Sequence, residues 1–420
     1  MSKTPRYFTA AEAAEKLGIT AATLYAYVSR GLIRSEAMDD KRRTRRYLVE
    51  DVQKLIDRKE QQADPAKAAQ SALHWGVPMM DSGITLINEG RFYYRGYDAA
   101  HLAKQHTLEE IAALIWTGAI ENHAEIFVGE SLKFSPTLFK TLSQIFVSNP
   151  ALAYVQRYQI ALAMAAADDF AAYDLSPQAV SKTGARILRL LTLTAVLPIN
   201  NIVTDTIYRV STAQILTKGW GLDEHAAYLL NAALILCADH ELNVSAFTAR
   251  VIASAETTPY AIVIGALSAM QGFKHGGNSE RVAAMMRPMM SDADIRPALV
   301  DKLRLGERIP GFGHKLYPQG DPRAAVLLTL LENDAPDSSA LHLAQAVIAE
   351  VRALIDIPPN IDFALVTLEN VLNLPRGSAL AIFALGRTIG WIGHAIEQYS
   401  DPNLIRPRAR YIGIPPRENG

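Results

Sequence analysis

The chain has 420 residues, 49% of them hydrophobic, enough for two or three domains with sizeable buried cores. Its formal net charge of -1 argues against wholesale binding to nucleic acid or acidic membrane, yet residues 1 to 62 carry 13 Lys and Arg against 9 Asp and Glu, leaving 29 against 34 in the remainder. The single cysteine, Cys237, excludes an internal disulfide and a multi-cysteine zinc site, and fits a reducing compartment.

The segment "MSKTPRYFTAAEAAEKLG" lacks the apolar core of a secretory signal, and the longest apolar run, read as lying around "AAYLLNAALILCA", is too short to span a bilayer. The expected location is the cytoplasm, without membrane contact. In "YFTAAEAAEKLGITAATLYAYVSRGLIRS", Thr9 can cap a helix that stops near Gly18, and Thr20 can cap a second that stops near Gly31. Two short helices joined by a glycine-containing turn describe a helix-turn-helix. Its second helix exposes Thr23, Tyr25, Tyr27 and Arg30 in part, and a basic run with Arg42, Arg43, Arg45 and Arg46 follows where a wing would turn. Residues 6 to 58 thus resemble the winged helix-turn-helix of mercury-resistance-type regulators and excisionases, whose second helix enters the major groove. DNA contact through these residues, a protein-docking or lid role, and a relic without function remain open readings of residues 1–62. Residues 63–72, polar and alanine-rich, read as a linker to a second domain, 73–420.

Beyond the linker, "GITLINEGRFYYRGYD" places two short β-prone runs around Asn88-Glu89-Gly90, a hairpin signal. Helical periodicity dominates the rest, as in "HLAKQHTLEEIAALIWTG" and "PRGSALAIFALGRTIGWIGHAIEQY", so the expected fold class is all-α.

Four features bear chemistry. In "CADHELNVSAFTARVIAS", Asp239 and His240 end an apolar helix, where a structural imidazole and a ligand-binding one both fit. In "QGFKHGGNSERVAAMM", His275 precedes Gly276-Gly277, and Asn278 or Ser279 can cap a following helix whose dipole would keep the imidazole neutral. In "RIPGFGHKLYPQGDPRA", glycines and prolines mark a loop that carries His314 and Arg323. In "PPNIDFALVTL", Asp362 lies among apolar residues, and either caps a helix or has a raised pKa and does chemistry. Sequence spacing does not tell whether these groups meet.

The blocks "ADHELNVSAFTARV", "HGGNSERV", "IPGFGHKLYPQGDPRA", "NIDFALVTL", "LGRTIGWIGHAIEQ" and "IRPRARYIG" occur in this order, preceded by "RFYYRGYDAAHLA". Together they resemble the successive signature motifs of the citrate synthase family over about residues 73 to 415. The resemblance implies large and small helical domains, the smaller spanning about residues 276–372 and rocking to close over substrate. It implies condensation of acetyl-CoA with oxaloacetate and water to give citrate and CoA, by enolisation, Claisen-type attack and thioester hydrolysis. By similarity, Asp362 removes the methyl proton, neutral His275 donates a hydrogen bond to the forming enol, and His314 polarises the oxaloacetate ketone. His240, Arg323, Arg387 and Arg406 would bind oxaloacetate, Arg406 reaching across a homodimer to the neighbour's site.

The chain departs from the family pattern at two motif positions and in its N-terminal helix-turn-helix, which the ordinary enzymes lack. Much of the family reads His-Gly-Gly-Ala-Asn-Glu where this chain has His275-Gly276-Gly277-Asn278-Ser279-Glu280, a change that bears on acyl-CoA preference. Pro318 stands where some members have an arginine that contacts CoA phosphate. A 2-methylcitrate synthase using propionyl-CoA would keep every named residue, so it remains an alternative. A DNA-binding regulator that senses acyl-CoA or oxaloacetate, and a bifunctional protein, are two more. No Walker loop, G-x-S-x-G or H-E-x-x-H motif occurs. No metal or cofactor is expected, coenzyme A acting as cosubstrate. Cys237 and Trp391 read as packing residues.

Overall fold

Thr9 and Glu12 start the first helix by exchanging bonds: the Thr9 hydroxyl accepts from the Glu12 amide, and the Glu12 carboxylate accepts from the Thr9 amide. The computed structural model describes residues 7–29, 32–37, 45–49, 51–52, 55, 80–197, 209–289 and 295–415. Contacts divide the chain into two units, Met1–Asp81 and Ser82–Gly420.

In the first unit, α1 (Ala10–Leu17) ends at Gly18 in the left-handed conformation, φ 60°. The Thr20 hydroxyl accepts from the Thr23 amide as α2 (Ala21–Ser29) begins. Strands β1 (Tyr7–Phe8), β2 (Ser35–Ala37) and β3 (Arg45–Leu48) pair antiparallel in the order β1-β3-β2. Ala13, Leu17, Leu24, Ile33, Tyr47 and Val52 close a small core between helices and sheet. Arg34, just before β2, is tied to the chain after β3 by donating Nε and Nη2 to Asp51. The expected helix end near Gly31, the linker 63–72, and Arg30, Arg42 and Arg43 lie outside the described residues.

The second unit opens with β4 (Thr85–Asn88) and β5 (Arg91–Tyr94), joined across Glu89 and Gly90, whose φ values of 50° and 76° suit a two-residue hairpin turn. Strand β6 (Tyr97–Asp98) completes this sheet. The helices that follow are α3 (Ala99–Gln105), α4 (Leu108–Thr117), α5 (His123–Ile126), α6 (Pro136–Ser148), α7 (Tyr154–Ala166), α8 (Pro177–Ala195) and α9 (Thr212–Gly219). Next come α10 (Ala226–Leu236), α11 (Val244–Ala253), α12 (Pro259–Met270), α13 (Asn278–Met289), α14 (Ile295–Arg304), α15 (Pro322–Asp334), α16 (Ser339–Ile355), α17 (Ile361–Val371) and α18 (Ser378–Tyr399). Short 3-10 turns apart, the regular elements described in this unit are helices outside that one sheet, as the periodicity predicts.

Helix α18 is the axis of the core, buried from Ser378 to Ile396 and packed against α4, α8, α10, α11, α12 and α17. Its 22 residues are long and apolar enough to cross a membrane, which corrects the expectation that no segment reached that length; its burial makes it a core helix here. Two glycines let it press against the end of α10. A Cβ on Gly386 would lie 2.4 Å from the Leu234 carbonyl oxygen, and one on Gly390 would lie 2.4 Å from Asp239 Oδ1 and 2.5 Å from the Ala238 carbonyl oxygen. That close approach carries Arg387 to the segment that bears His240.

Candidate active site

Helix α10 stops at Cys237, and Glu241 takes a left-handed φ of 52°, so the chain turns sharply just after His240. Asn243 then caps α11 by accepting from the Ser245 and Ala246 amides. His240 Nε2 lies 2.9 Å from Tyr317 Oη, and its ring meets that of His314 edge-on with centroids 5.2 Å apart. Arg387, 1% exposed, donates Nε to the Cys237 carbonyl at 2.8 Å. Its buried Nη2 has no hydrogen-bond partner among the described residues. A buried guanidinium donor left open is costly unless an anion arrives to take it.

The glycine-rich loop before α15 is irregular because it is stapled to the start of α17. The Gly313 amide donates to the Pro358 carbonyl, the Asn360 amide to the Gly311 carbonyl, and Asn360 Nδ2 to the Gly313 carbonyl. Asn360 also caps α17, its Oδ1 accepting from the Asp362 amide. One side chain therefore ties the His314 loop to the Asp362 helix. The Leu316 amide donates to His314 Nδ1 at 3.2 Å, which leaves the hydrogen of the neutral ring on Nε2, free to donate.

Asp321 opens α15 and accepts from Arg323 Nε at 2.9 Å and Nη2 at 2.8 Å. Its Oδ2 also accepts from the Ile361 amide, so one carboxylate fixes the arginine fork and joins α15 to α17. Arg323 Nη1 is not spent on Asp321.

His275 sits between α12 and α13. A Cβ on Gly277 would lie 2.6 Å from the Gln271 carbonyl oxygen, so the close approach these glycines permit is to the chain's own backbone. His275 Nε2 lies 2.8 Å from Ser245 Oγ, which also accepts from Trp391 Nε1 at 3.1 Å. Trp391 is a core residue, as expected, and its indole hydrogen also orients the serine beside His275. Ser245 Oγ donates to Asn243 Oδ1 at 2.8 Å while touching His275 Nε2, so the serine hydroxyl anchors the Nε2 edge of the His275 ring.

Asp362 lies in the first turn of α17, which Asn360 caps. Asn278 Nδ2 donates to Asp362 Oδ2 at 2.9 Å and Ser279 Oγ donates to Oδ1 at 2.6 Å. Asn278 and Ser279 were expected to cap α13; their side chains instead hold this carboxylate.

Burial, then the cations Arg387 and Arg323, push His275 down to about 4. These causes are in addition to the dipole of the following helix that the sequence suggested. Burial and Arg323 push His314 down to about 4, and burial, Arg323 and Arg387 hold His240 well below the ordinary imidazole value. Burial raises Asp362 against the pull of its two donors. Burial likewise pushes the Cys237 thiol up to about 12, consistent with a packing role. His240, His275, His314, Arg323, Arg387 and Asp362 thus share one electrostatic neighbourhood. Arg406 does not join it: it is exposed in the extended segment after α18. No group of three His, Cys, Asp or Glu among the described residues could hold a metal ion.

Sequence reasoning missed Tyr317, Asp321, Asn360 and Ser245. The Asp321-Pro322 step, a cap followed by proline in the first turn, was the one local signal.

Residues 72–408 match the family described as "Citrate synthase, C-terminal domain", and residues 7–60 match "Helix-turn-helix domain". "Citrate synthase 2" of Bacillus subtilis is 29% identical over 375 residues, covering 80% of this chain and 94% of that protein. "2-methylcitrate synthase" of Shewanella oneidensis is 31% identical over 377 residues, covering 81% and 92%. The crystal structure of citrate synthase from Thermotoga maritima superposes with a TM-score of 0.67 at 26% identity, covering 82% of this chain and 96% of that one. With the ordered motifs and the fold, these matches establish that the chain belongs to the citrate synthase family and carries a helix-turn-helix domain ahead of the family region.

Proposed function

We propose that the protein condenses a short acyl-CoA, in the first instance acetyl-CoA, with oxaloacetate and water to give citrate and CoA. The observation that carries this reading is the buried, unpaired Nη2 of Arg387 among three histidines held neutral and one buried carboxylate. Such a site receives a small dianion and moves protons without using a cationic acid.

In the proposed sequence, Arg387 Nη2 and Arg323 Nη1 bind the carboxylates of oxaloacetate, with His240 beside them. His314 Nε2–H donates to the ketone oxygen and makes its carbon electrophilic. Asp362 takes a proton from the thioester α-carbon while the neutral His275 ring stabilises the oxygen of the forming enol by a hydrogen bond. The enol carbon attacks the ketone, and water then cleaves the citryl thioester. A smaller subdomain of about residues 276–372 closes over the substrates, expelling water before enolisation. The partner subunit's Arg406 completes each site, so the working unit is a homodimer. No cofactor beyond the CoA thioester is required, and the protein acts in the cytoplasm.

The test is release of free CoA thiol given oxaloacetate with acetyl-CoA or propionyl-CoA in parallel. Turnover abolished by Asp362→Ala, with oxaloacetate binding retained, supports the condensing enzyme, and the ratio of the two rates separates citrate from 2-methylcitrate synthesis. No turnover despite ligand binding by calorimetry favours a sensor.

A second reading concerns the first unit, where Tyr25 is 55% exposed on α2 and Arg45 is exposed on β3. These, with Thr23, are the described candidates for DNA contact. Arg46 is partly committed elsewhere, donating to Glu36 at 2.8 Å and lying 4.2 Å over the Tyr7 ring. DNA binding that weakens steeply with salt supports the role, and absence of sequence-dependent binding by the full chain at low salt removes it.

A further inference from the structure

We infer that Asn278 and Ser279 form a two-donor clamp that aims the Asp362 carboxylate and tunes its strength as a base. This rests on the reading of Asp362 as the base. Ser279 Oγ holds Oδ1 at 2.6 Å, within the range of a charge-assisted bond, and Asn278 Nδ2 holds Oδ2 at 2.9 Å. With one donor on each oxygen the carboxylate plane cannot rotate, and the Asn360 cap fixes the backbone beneath it. An ionised carboxylate has about four lone-pair sites, so each oxygen keeps capacity to accept a substrate proton.

The clamp residues depart from the order common in much of the family. The order common in the family, His-Gly-Gly-Ala-Asn-Glu, places a methyl where Asn278 stands and an amide where Ser279 stands. Here the amide has moved back one residue and a hydroxyl, on a side chain only 2% exposed, has taken its place. Burial disfavours the anion of Asp362, whereas both clamp bonds favour it. The charges that face it are Arg323, which favours ionisation, and Asp321, which opposes it, both at the start of α15. The neutral Cys237 thiol faces it from the end of α10, and Arg387 on α18 faces Arg323 and Cys237. From α13 come the two neutral donors. When the α-carbon yields its proton, that proton goes to a carboxylate oxygen and the C–H electron pair becomes the enol double bond. The clamp bonds, strongest to the anion, weaken at that moment. They therefore limit how readily Asp362 takes the proton while keeping it ionised and ready at lower pH.

The experiment compares Ser279→Ala, Asn278→Ala and the conservative Ser279→Thr. It reads the pH profile of kcat/KM for the acyl-CoA, KM for oxaloacetate, and the carboxyl titration of Asp362 by carbon-13 NMR in aspartate-labelled full chain, with Asp362→Asn as blank. Each alanine variant should move both the acidic limb and the Asp362 titration to higher pH by about one unit, the equivalent of one charge-assisted bond. Oxaloacetate KM should stay within about two-fold, because the clamp touches the base alone. Ser279→Thr should return the titration to its original place. An Asp362 titration unmoved in both folded alanine variants overturns the clamp. If the unmodified protein releases no CoA from any acyl-CoA, the condensing reading fails, and the NMR titration still decides the clamp.

Discussion

Arg387 Nε is tied to the Cys237 carbonyl at 2.8 Å while the Nη2 of the same guanidinium is buried and unpaired. The helix end of α10 thus fixes one edge of the fork and aims the other at the site. Lysine has one donor point and no second edge to anchor, so Arg387→Lys should raise KM for oxaloacetate about 10- to 100-fold, the worth of a lost hydrogen bond between charged groups. Steady-state kinetics at varied oxaloacetate read this directly. An unchanged KM would remove Arg387 from substrate binding.

Asp321→Asn leaves Arg323, 3% exposed, without its counter-charge. Breaking such a buried pair should destabilise the fold by about 3 to 5 kcal/mol. Burial opposes ionisation of Asp321, but Arg323 overcomes it and holds the carboxyl below its ordinary value. This contribution is therefore present above the ordinary carboxylate range and lost as pH falls through the lower folded value. Urea unfolding of the variant should show a lower midpoint at neutral pH and a weaker acid dependence.

His275 and His314 titrate at about 4 in the fold against an ordinary value of 6.5, so the unfolded chain binds protons that the native site refuses. Unfolding free energy should rise with pH across the window from about 4 to about 6.5, and be fully present above it. Denaturant titrations at several pH values should show this slope, and His275→Gln or His314→Gln should each flatten it. A slope indifferent to both substitutions would mean that the rings are not held neutral.

Arg406 is exposed in its own chain. If it completes the neighbour's site, Arg406→Ala and His314→Ala proteins, each with little activity, should regain about a quarter of wild-type turnover after subunit mixing, one site in a hybrid dimer being intact. Failure to complement despite mass-spectrometric proof of mixing would argue against a shared site.

Local chemistry was legible where a few neighbouring residues decide it. Thr9 capping α1, Gly18 ending it, and the turn at Glu89-Gly90 each follow from backbone preferences within a handful of positions. The same holds for the helical periodicity of the large unit. Residue types alone also pointed to His275, His314 and Asp362 as groups needing explanation, and the ordered motifs named the family.

Contacts between distant segments were not legible, because no local rule encodes them. Asn278 and Ser279 are residue types that favour helix caps, yet their side chains reach 84 and 83 residues along the chain to Asp362. The His275 ring is neutral through burial and two guanidiniums, of which the nearer in sequence is 48 residues away at Arg323. Asp321, Asn360 and Tyr317 looked like loop residues until packing made them the ties between α10, α15 and α17. By itself, then, the sequence determined that the large unit is helical, where α1 starts and stops, where the first hairpin turns, and which family the chain builds. Only the tertiary structure decided which imidazoles lose their charge and which donor holds the base, since desolvation and Coulomb terms depend on what surrounds a group in space.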